Sequence, residues 1–275
     1  MNFDTESAWG TWKAKGLSAI SMAIIGILPP VGLMRSLAFM LRRPIKKGKQ
    51  ELYDRKVWGL KLRLSARGNL TEQRWLTMPN FHDRLERLAL AKVLTKDSVF
   101  LDVGANAGFY TFWALSLKHS GLRVLSIEPT PILLSRLRYN LEQNQLQDSV
   151  TLFPFAVTPE PCELTIDQHA ENIGKNAVSH FEVTGIKVMG RPLLEILNEA
   201  GVSKVDAMKI DIEGFEVPVL TAFYETAPRF LWPKFIIGEV VEERGEPLKH
   251  LLLSKGYQIQ CCNKMNGIMV LEKMF

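Results

Sequence analysis

The chain has 275 residues, 47% hydrophobic and 23% charged, a balance that excludes a disordered or collagen-like polypeptide and a polytopic membrane protein. Its formal charge of +5 is concentrated, since residues 1–63 hold 12 Lys/Arg against 4 Asp/Glu while residues 64–275 hold 22 against 25. The mildly acidic larger part carries no basic stripe, so a nucleic-acid partner is not expected. Cys162, Cys261 and Cys262 form no C-x-x-C pair that would hold zinc, and their usage suits a reducing, cytoplasmic compartment. Length fits one large α/β unit (98–275), preceded by a strand and covering helix (51–97) and an N-terminal appendage (1–50).

Gly16 to Met34 is uncharged over 19 residues, which as a single helix would just reach across a bilayer core. Pro29-Pro30 breaks it, leaving a stretch too short to span and followed by no small-x-small cleavage site. Leu33, Met34, Leu37, Ala38, Met40 and Leu41 then fall on one helical arc, with Arg35, Arg42 and Arg43 on the other. Trp9 and Trp12 precede the apolar run and Lys46, Lys47 and Lys49 follow the arginines. The pattern over residues 9–49 fits peripheral contact with an anionic membrane, at the inner face of a cytoplasmic membrane, or a helical pair packed on the main domain.

Residues 57–65 alternate from Leu60 onward, predicting a half-exposed strand. Phe81 to Leu94 carries Leu85, Leu88, Ala89 and Lys92 at helical spacing, predicting a covering helix. Val99 to Val103 reads as a buried strand, Gly104-Ala105-Asn106-Ala107-Gly108 as a turn and Phe109 to Leu117 as a helix. Glycines there allow a sharp turn and close approach to a ligand, and the helix opening behind them would aim free amides at it. The next strand, Leu122 to Ile127, ends in Glu128, where a Rossmann-like domain binds ribose hydroxyls. Asn106 stands in place of the close-approach glycine that a pyrophosphate needs, and with Asp102 it suits a ligand bearing an amino-acid tail. S-adenosylmethionine is therefore favoured over NAD. Val205 to Asp211 and Phe235 to Glu239 read as further strands, Leu248 to Lys255 as a helix, and Tyr257–Cys262 with Gly267–Glu272 as a terminal antiparallel hairpin.

Phe100 to Tyr110, Ile127-Glu128-Pro129 and Lys209 to Glu216 together resemble the FkbM family of S-adenosylmethionine-dependent methyltransferases. Asn140 and Asn144 match its paired asparagines, and Val157 to Ile166 resembles its third strand and hairpin. The similarity covers roughly residues 70–260. Arg191-Pro192-Leu193 departs from the family's Leu-Asp pair, and Pro192 suits a first helical turn. The resemblance implies a class I methyltransferase fold, a mostly parallel seven-stranded sheet, and as acceptor a hydroxyl on a sugar, glycolipid or polyketide.

The expected cofactor residues are Asp102, Gly104, Ala105, Asn106, Gly108, Glu128 and Pro129, with Asp102 either meeting ligand or bonding the amides of the glycine turn. Asn140 and Asn144 are read as helix caps or ligand groups. Asp102, Glu128, Asp211 and Glu239 each sit near a strand's carboxyl end, where their repulsion calls for a cationic ligand, a metal or proton uptake. Asp211 is the expected proton acceptor and Glu213 the residue that orients the acceptor, against a reading in which they cap Gly214 and its helix or balance Lys209. His169 and His180, in a polar loop over 167–181, are the reserve bases. No metal is expected. Two other functions stay open: an NAD(P)-type oxidoreductase, and a non-catalytic membrane-associated protein on this scaffold.

Overall fold

The computed structural model describes residues 3–167, 178–179, 185–240, 245–262 and 266–272. Three short helices, α1 (Gly16–Ile27), α2 (Gly32–Leu41) and α3 (Arg43–Lys47), lead into a hairpin of β1 (Leu52–Val57) and β2 (Leu60–Ser65). Helices α4 (Leu70–Thr77) and α5 (Arg84–Val93) follow, and the alternating unit begins with β3 (Val99–Val103), α6 (Phe109–Ser116), β4 (Arg123–Ile127), α7 (Pro131–Glu142) and β5 (Val150–Phe153). After β6 (Ala156–Val157), β7 (Cys162–Asp167), β8 (Val178–Ser179) and β9 (Gly185–Arg191) come α8 (Leu193–Glu199), β10 (Ala207–Ile210) and α9 (Glu216–Thr226). The chain continues through β11 (Phe235–Glu239), α10 (Glu246–Ser254), β12 (Tyr257–Cys262) and β13 (Asn266–Leu271).

The main sheet has seven strands in the order β12-β13-β11-β10-β3-β4-β5. From β11 to β5 all pairings are parallel, and β13 runs antiparallel to both β11 and β12. This is the mostly parallel sheet with a terminal hairpin that the strand and turn pattern implies. Connections leave β3 toward β4 on one side while β10 pairs on the other, so the sheet's order reverses there and opens a crevice beyond the strand ends.

Successive residues of the short apolar strands point to opposite faces. Phe100, Val124, Ala207 and Ile237 join a core with Trp75, Phe112, Leu62 and Ile45. Leu101, Leu125, Met208 and Ile236 join a second one with Leu197, Leu220 and Leu252. Burial on both faces explains why these strands read as continuous apolar runs.

Several expectations need correction. Strand β2 is not half exposed: all of it but Lys61 is buried, because residues before α1 lie over it. Arg63 is ion-paired to Asp54 at 2.8 Å and donates to the carbonyls of Asp4, Ser7 and Ala8. Trp9 donates to the Leu62 carbonyl, and the Trp12 amide to Asp54, so both tryptophans are half-buried on the hairpin. On α5 the buried side chains are Glu86, Arg87 and Leu90, whereas Leu85 and Leu88 are exposed. Helix α4 has no counterpart in the expected order. Val157 to Ile166 belongs to a separate four-stranded sheet, β6-β9-β7-β8, and β5 takes the third-strand position instead.

In the appendage, the expected arc of α2 divides. Ala38 is buried and Met34 and Leu41 are half-buried, while Leu33, Leu37 and Met40 are exposed. Met22, Ile25, Ala38 and Ile45 lie in the same buried cluster as the core of the main unit. No helix among the described residues is long and apolar enough to cross a membrane.

Candidate active site

A cavity of about 340 Å³ opens beyond the carboxyl ends of β3, β4, β10 and β11, within the ~300–1,000 Å³ usual for ligand sites. Asp102, Glu128, Asp211 and Glu239 all line it, as do Gly104, Ala105, Asn106, Pro129 and Glu213. Gly108 does not. Its role is packing: at φ +90° a Cβ would lie 2.5 Å from Leu137 Cδ2. Gly104 likewise yields to the protein itself, since at φ +76° a Cβ would fall 2.0 Å from the Asp211 carbonyl oxygen. The glycine turn is thus fitted to the end of β10.

Nor does the turn present free amides. Gly104 and Ala105 donate to the Ile127 carbonyl, both at 3.0 Å, and Gly108 donates to Ala105 at 2.8 Å. The Ala107 amide bonds Asn106 Oδ1 at 2.7 Å, and the Asn106 amide bonds Glu128 Oε2 at 2.8 Å. Asn106 sits at φ 55° and its Oδ1 also accepts from Asn69, the N-cap of α4. Glu128 Oε1 accepts from the Thr130 amide at 2.9 Å. Burial pushes the Glu128 carboxyl up, against the pull of the Thr130 and Asn106 bonds. Each of its oxygens has a further lone pair that these amides do not use.

Asp102 meets neither alternative of the sequence reading in full. It lines the cavity, but its Oδ2 accepts from the Thr111 amide at 2.9 Å and the Thr111 hydroxyl at 2.7 Å, so it holds α6 rather than the glycine turn. Burial raises its pKa to about 6, with the Thr111 bonds and the Lys209 charge opposing. Neither Asn140 nor Asn144 lines the cavity, and the capping reading holds for Asn144 alone, whose Nδ2 donates to the Asn140 carbonyl at 2.8 Å at the end of α7. The Asn140 carboxamide takes the Arg63 amide at 2.7 Å and gives to the Arg63 carbonyl at 3.1 Å, and Asn144 does the same with Lys61 at 2.8 and 2.7 Å. One helical turn apart, they pair with β2 as a neighbouring strand would.

At the end of β10, Asp211 is half exposed and lies 3.3 Å from Lys209 Nζ. Its amide bonds the Val103 carbonyl at 3.1 Å. Glu216, the first residue of the following helix, accepts from the Ile212 and Gly214 amides at 2.7 and 2.9 Å, so the Gly214 amide is held by Glu216, and the N-cap residue Phe215 makes no side-chain cap bond. Glu213 holds a left-handed φ of 53° and faces the cavity.

Two groups escaped sequence reasoning, and a third, Lys209, entered it only as a charge for Asp211 and Glu213 to balance. Lys209 is buried at the cavity wall, and although burial opposes its charge, Asp211, Asp83 and Asp102 hold its pKa above the ordinary lysine value. It supplies positive charge among the acids, and its pairing with Asp211 is the balance that the alternative reading of Asp211 expects. A charged residue inside the apolar run Ala207-Met208-Lys209-Ile210 was the available signal. His82 and Asp83 also line the cavity, with His82 Nδ1 3.2 Å from Asp83 Oδ1 and the Tyr110 hydroxyl 3.1 Å from Asp83 Oδ2. Burial works against the Asp83 charge, yet His82, Lys209 and Tyr110 prevail and keep its pKa at about 2. No short-range pattern links these two to the glycine turn. His169 and His180 lie outside the described residues.

Compared with known families, residues 102–259 match the Methyltransferase FkbM domain. A methyltransferase of Sordaria araneosa, sdnD, is 24% identical over 203 residues, 60% of this chain and 76% of that protein. The crystal structure of methyltransferase FkbM from Methylobacillus flagellatus KT shares 18% identity at a TM-score of 0.44, over 64% of this chain and 44% of that one. The precorrin-6y C5,15-methyltransferase of Geobacter metallireducens GS-15 shares 15% at a TM-score of 0.45, covering 70% and 90%. This chain therefore spans less than half the length of the Methylobacillus protein it matches.

Proposed function

The chain belongs to the FkbM methyltransferase family, and from that premise we propose that it transfers a methyl group from S-adenosylmethionine to a hydroxyl of a sugar, glycolipid or polyketide-type acceptor. The observation that carries the cofactor reading is Glu128, a buried carboxylate at the cavity wall, held by two backbone amides and retaining lone pairs for two ribose hydroxyls. The acidic rim suits a ligand with an amine and a sulfonium. An oxidoreductase reading is disfavoured because Asn106 occupies the position where a pyrophosphate needs a glycine.

When bound, S-adenosylmethionine supplies a methyl group activated by a positively charged sulfur. Attack by an alcohol releases a proton, so a base within hydrogen-bond reach is required. Asp211 takes that role: it lines the cavity, and its Oδ2 leans on Lys209, which fixes the carboxylate. Glu213 accepts from a neighbouring acceptor hydroxyl and orients it. A second proton acceptor is favoured by the pairing of His82 with Asp83, an arrangement that fixes an imidazole's orientation at the cavity wall.

Incubation with methyl-labelled S-adenosylmethionine and a panel of sugars, glycolipids and polyketide alcohols tests the reading. Label transferred to oxygen supports it. Label found only on nitrogen or carbon acceptors overturns the hydroxyl assignment, and binding of NAD instead of S-adenosylmethionine overturns the cofactor. The pH profile separates the bases, since a limb that disappears in His82→Gln assigns the proton to His82 and one that disappears in Asp211→Asn assigns it to Asp211.

A further inference from the structure

Beside the active-site cavity lies a larger one, about 550 Å³, between α2–α3 and the α4–α5 segment. The two share Leu70, Arg74, His82, Asp83 and Asn266 as a common wall. Five cations line the second cavity: Arg35 and Arg42, Lys46, Arg74 and Arg84. Among the described residues, none of these five is in an ion pair. The acids on the same wall are engaged elsewhere, Asp83 with His82 and Tyr110 and Glu86 with Asn266.

Arg42 and Lys46 are half-buried one helical turn apart, and the Arg42 guanidinium is fixed 4.2 Å from the Phe39 ring centroid. Burial and the neighbouring Arg74 charge both lower the Arg42 pKa, and burial, Arg42 and Arg74 lower that of Lys46. Arg35, Arg74 and Arg84 are exposed around this half-buried pair, and cations gathered at one cavity repel one another unless an anion enters. Arginine forks with a lysine beside them are the donor set that phosphate oxygens fit.

We propose that this second cavity binds a phosphate group of the acceptor, placing the hydroxyl-bearing part across the shared wall in the cavity of Asp211 and Glu213. The proposal rests on the methyltransferase reading for the hydroxyl, but not for the phosphate. Two sources share this chemistry, a soluble sugar phosphate and a phosphate-bearing lipid. The exposed apolar side chains Leu17, Ile20, Ile27, Leu33, Leu37 and Met40 of α1 and α2 lie on the same appendage as Arg35, Arg42 and Lys46, which is the arrangement an anionic amphiphile would meet.

Calorimetric titration of the full chain with inorganic pyrophosphate tests the site. The expected result is saturable binding that weakens at least tenfold in Arg42→Gln/Lys46→Gln and again in Arg74→Gln. Lys92→Gln/Lys118→Gln, which removes two exposed charges elsewhere, should leave it unchanged. The melting temperature, measured on the same samples, reports that each variant is folded, and S-adenosylmethionine affinity is titrated alongside. Competition by glucose 1-phosphate supports the site with a soluble acceptor. Binding to phosphatidic acid vesicles but not phosphatidylcholine vesicles, lost in the same variants and not competed by glucose 1-phosphate, supports it with a lipid one. No pyrophosphate binding, equal weakening in the control, or tighter binding of a single-stranded oligonucleotide than of pyrophosphate overturns it. Pyrophosphate binding without S-adenosylmethionine binding would leave the phosphate site standing and sink the methyltransferase reading.

Discussion

At the β3–β4 rim of the cavity, every backbone amide from Gly104 to Gly108 is bonded within the protein, and Glu128 is tied to two amides and buried. At the β10 rim, Asp211 is half exposed and leans on Lys209, while Glu216 holds the Ile212 and Gly214 amides. The first rim is built before any ligand arrives, which suits a cofactor that never changes. The second keeps carboxylates toward solvent, which suits an acceptor that must be oriented and relieved of a proton. On this account binding and chemistry are separable by mutation.

The largest expected effect is on the β10 side. Asp211→Asn keeps the shape but removes basicity, so turnover on an acceptor identified by label transfer should fall about 10²–10⁴-fold. Preserved turnover per folded molecule, with a lower melting temperature, would reduce Asp211 to a partner of Lys209. Where the two rims meet, Gly104→Ala would drive a Cβ into the Asp211 carbonyl at a left-handed φ. Denaturant unfolding should show a loss of roughly 3 kcal/mol or more. An unchanged midpoint would mean that the turn and β10 are not locked together.

A smaller effect concerns pH. Burial gives Asp102 a folded pKa of about 6, above its ordinary carboxylate value, so the folded state holds that proton more tightly than the unfolded chain. Stability contributed by this group is therefore present at about pH 4 and is lost as pH rises through about 6. Asp102→Asn should remove a difference on the order of 1–3 kcal/mol between those pH values. Identical pH profiles for the two proteins would contradict it. The smallest effect lies away from both rims. Asn140→Ala and Asn144→Ala should each cost about 1–2 kcal/mol by releasing β2, while S-adenosylmethionine affinity stays unchanged. A loss of affinity would return the asparagines to the ligand site.

How legible the molecule was depends on the range of the interaction. Strands β3, β4, β10 and β11 and the terminal hairpin are readable because burial on both faces writes a short apolar run, and Gly104 and Gly108 mark the turn. Helix α4 carried a readable start, Asn69 with Glu72 three residues on, and the Asn69 side chain does accept from the Glu72 amide. Leu85 and Leu88 mislead because helical spacing does not say which side is covered; here Arg87 goes inward to the Pro79 and His82 carbonyls. The pairing of Asn140 with Arg63 spans 77 residues, and the approach of His82 and Asp83 to the β10 rim depends on the whole sheet. Neither leaves a local trace. The four acids could be placed at strand ends from sequence, but the lysine among them changes what they can do.

The most direct test of the separation of binding from chemistry is calorimetric titration with S-adenosylmethionine of the unaltered protein, Glu128→Ala and Asp211→Asn side by side. Loss of the buried acceptor at Glu128 should weaken binding by roughly 1.5–3 kcal/mol, about 10- to 150-fold, whereas Asp211→Asn should bind within about threefold of the unaltered protein. Equal affinities for Glu128→Ala and the unaltered protein, or a greater loss in Asp211→Asn than in Glu128→Ala, would contradict the account.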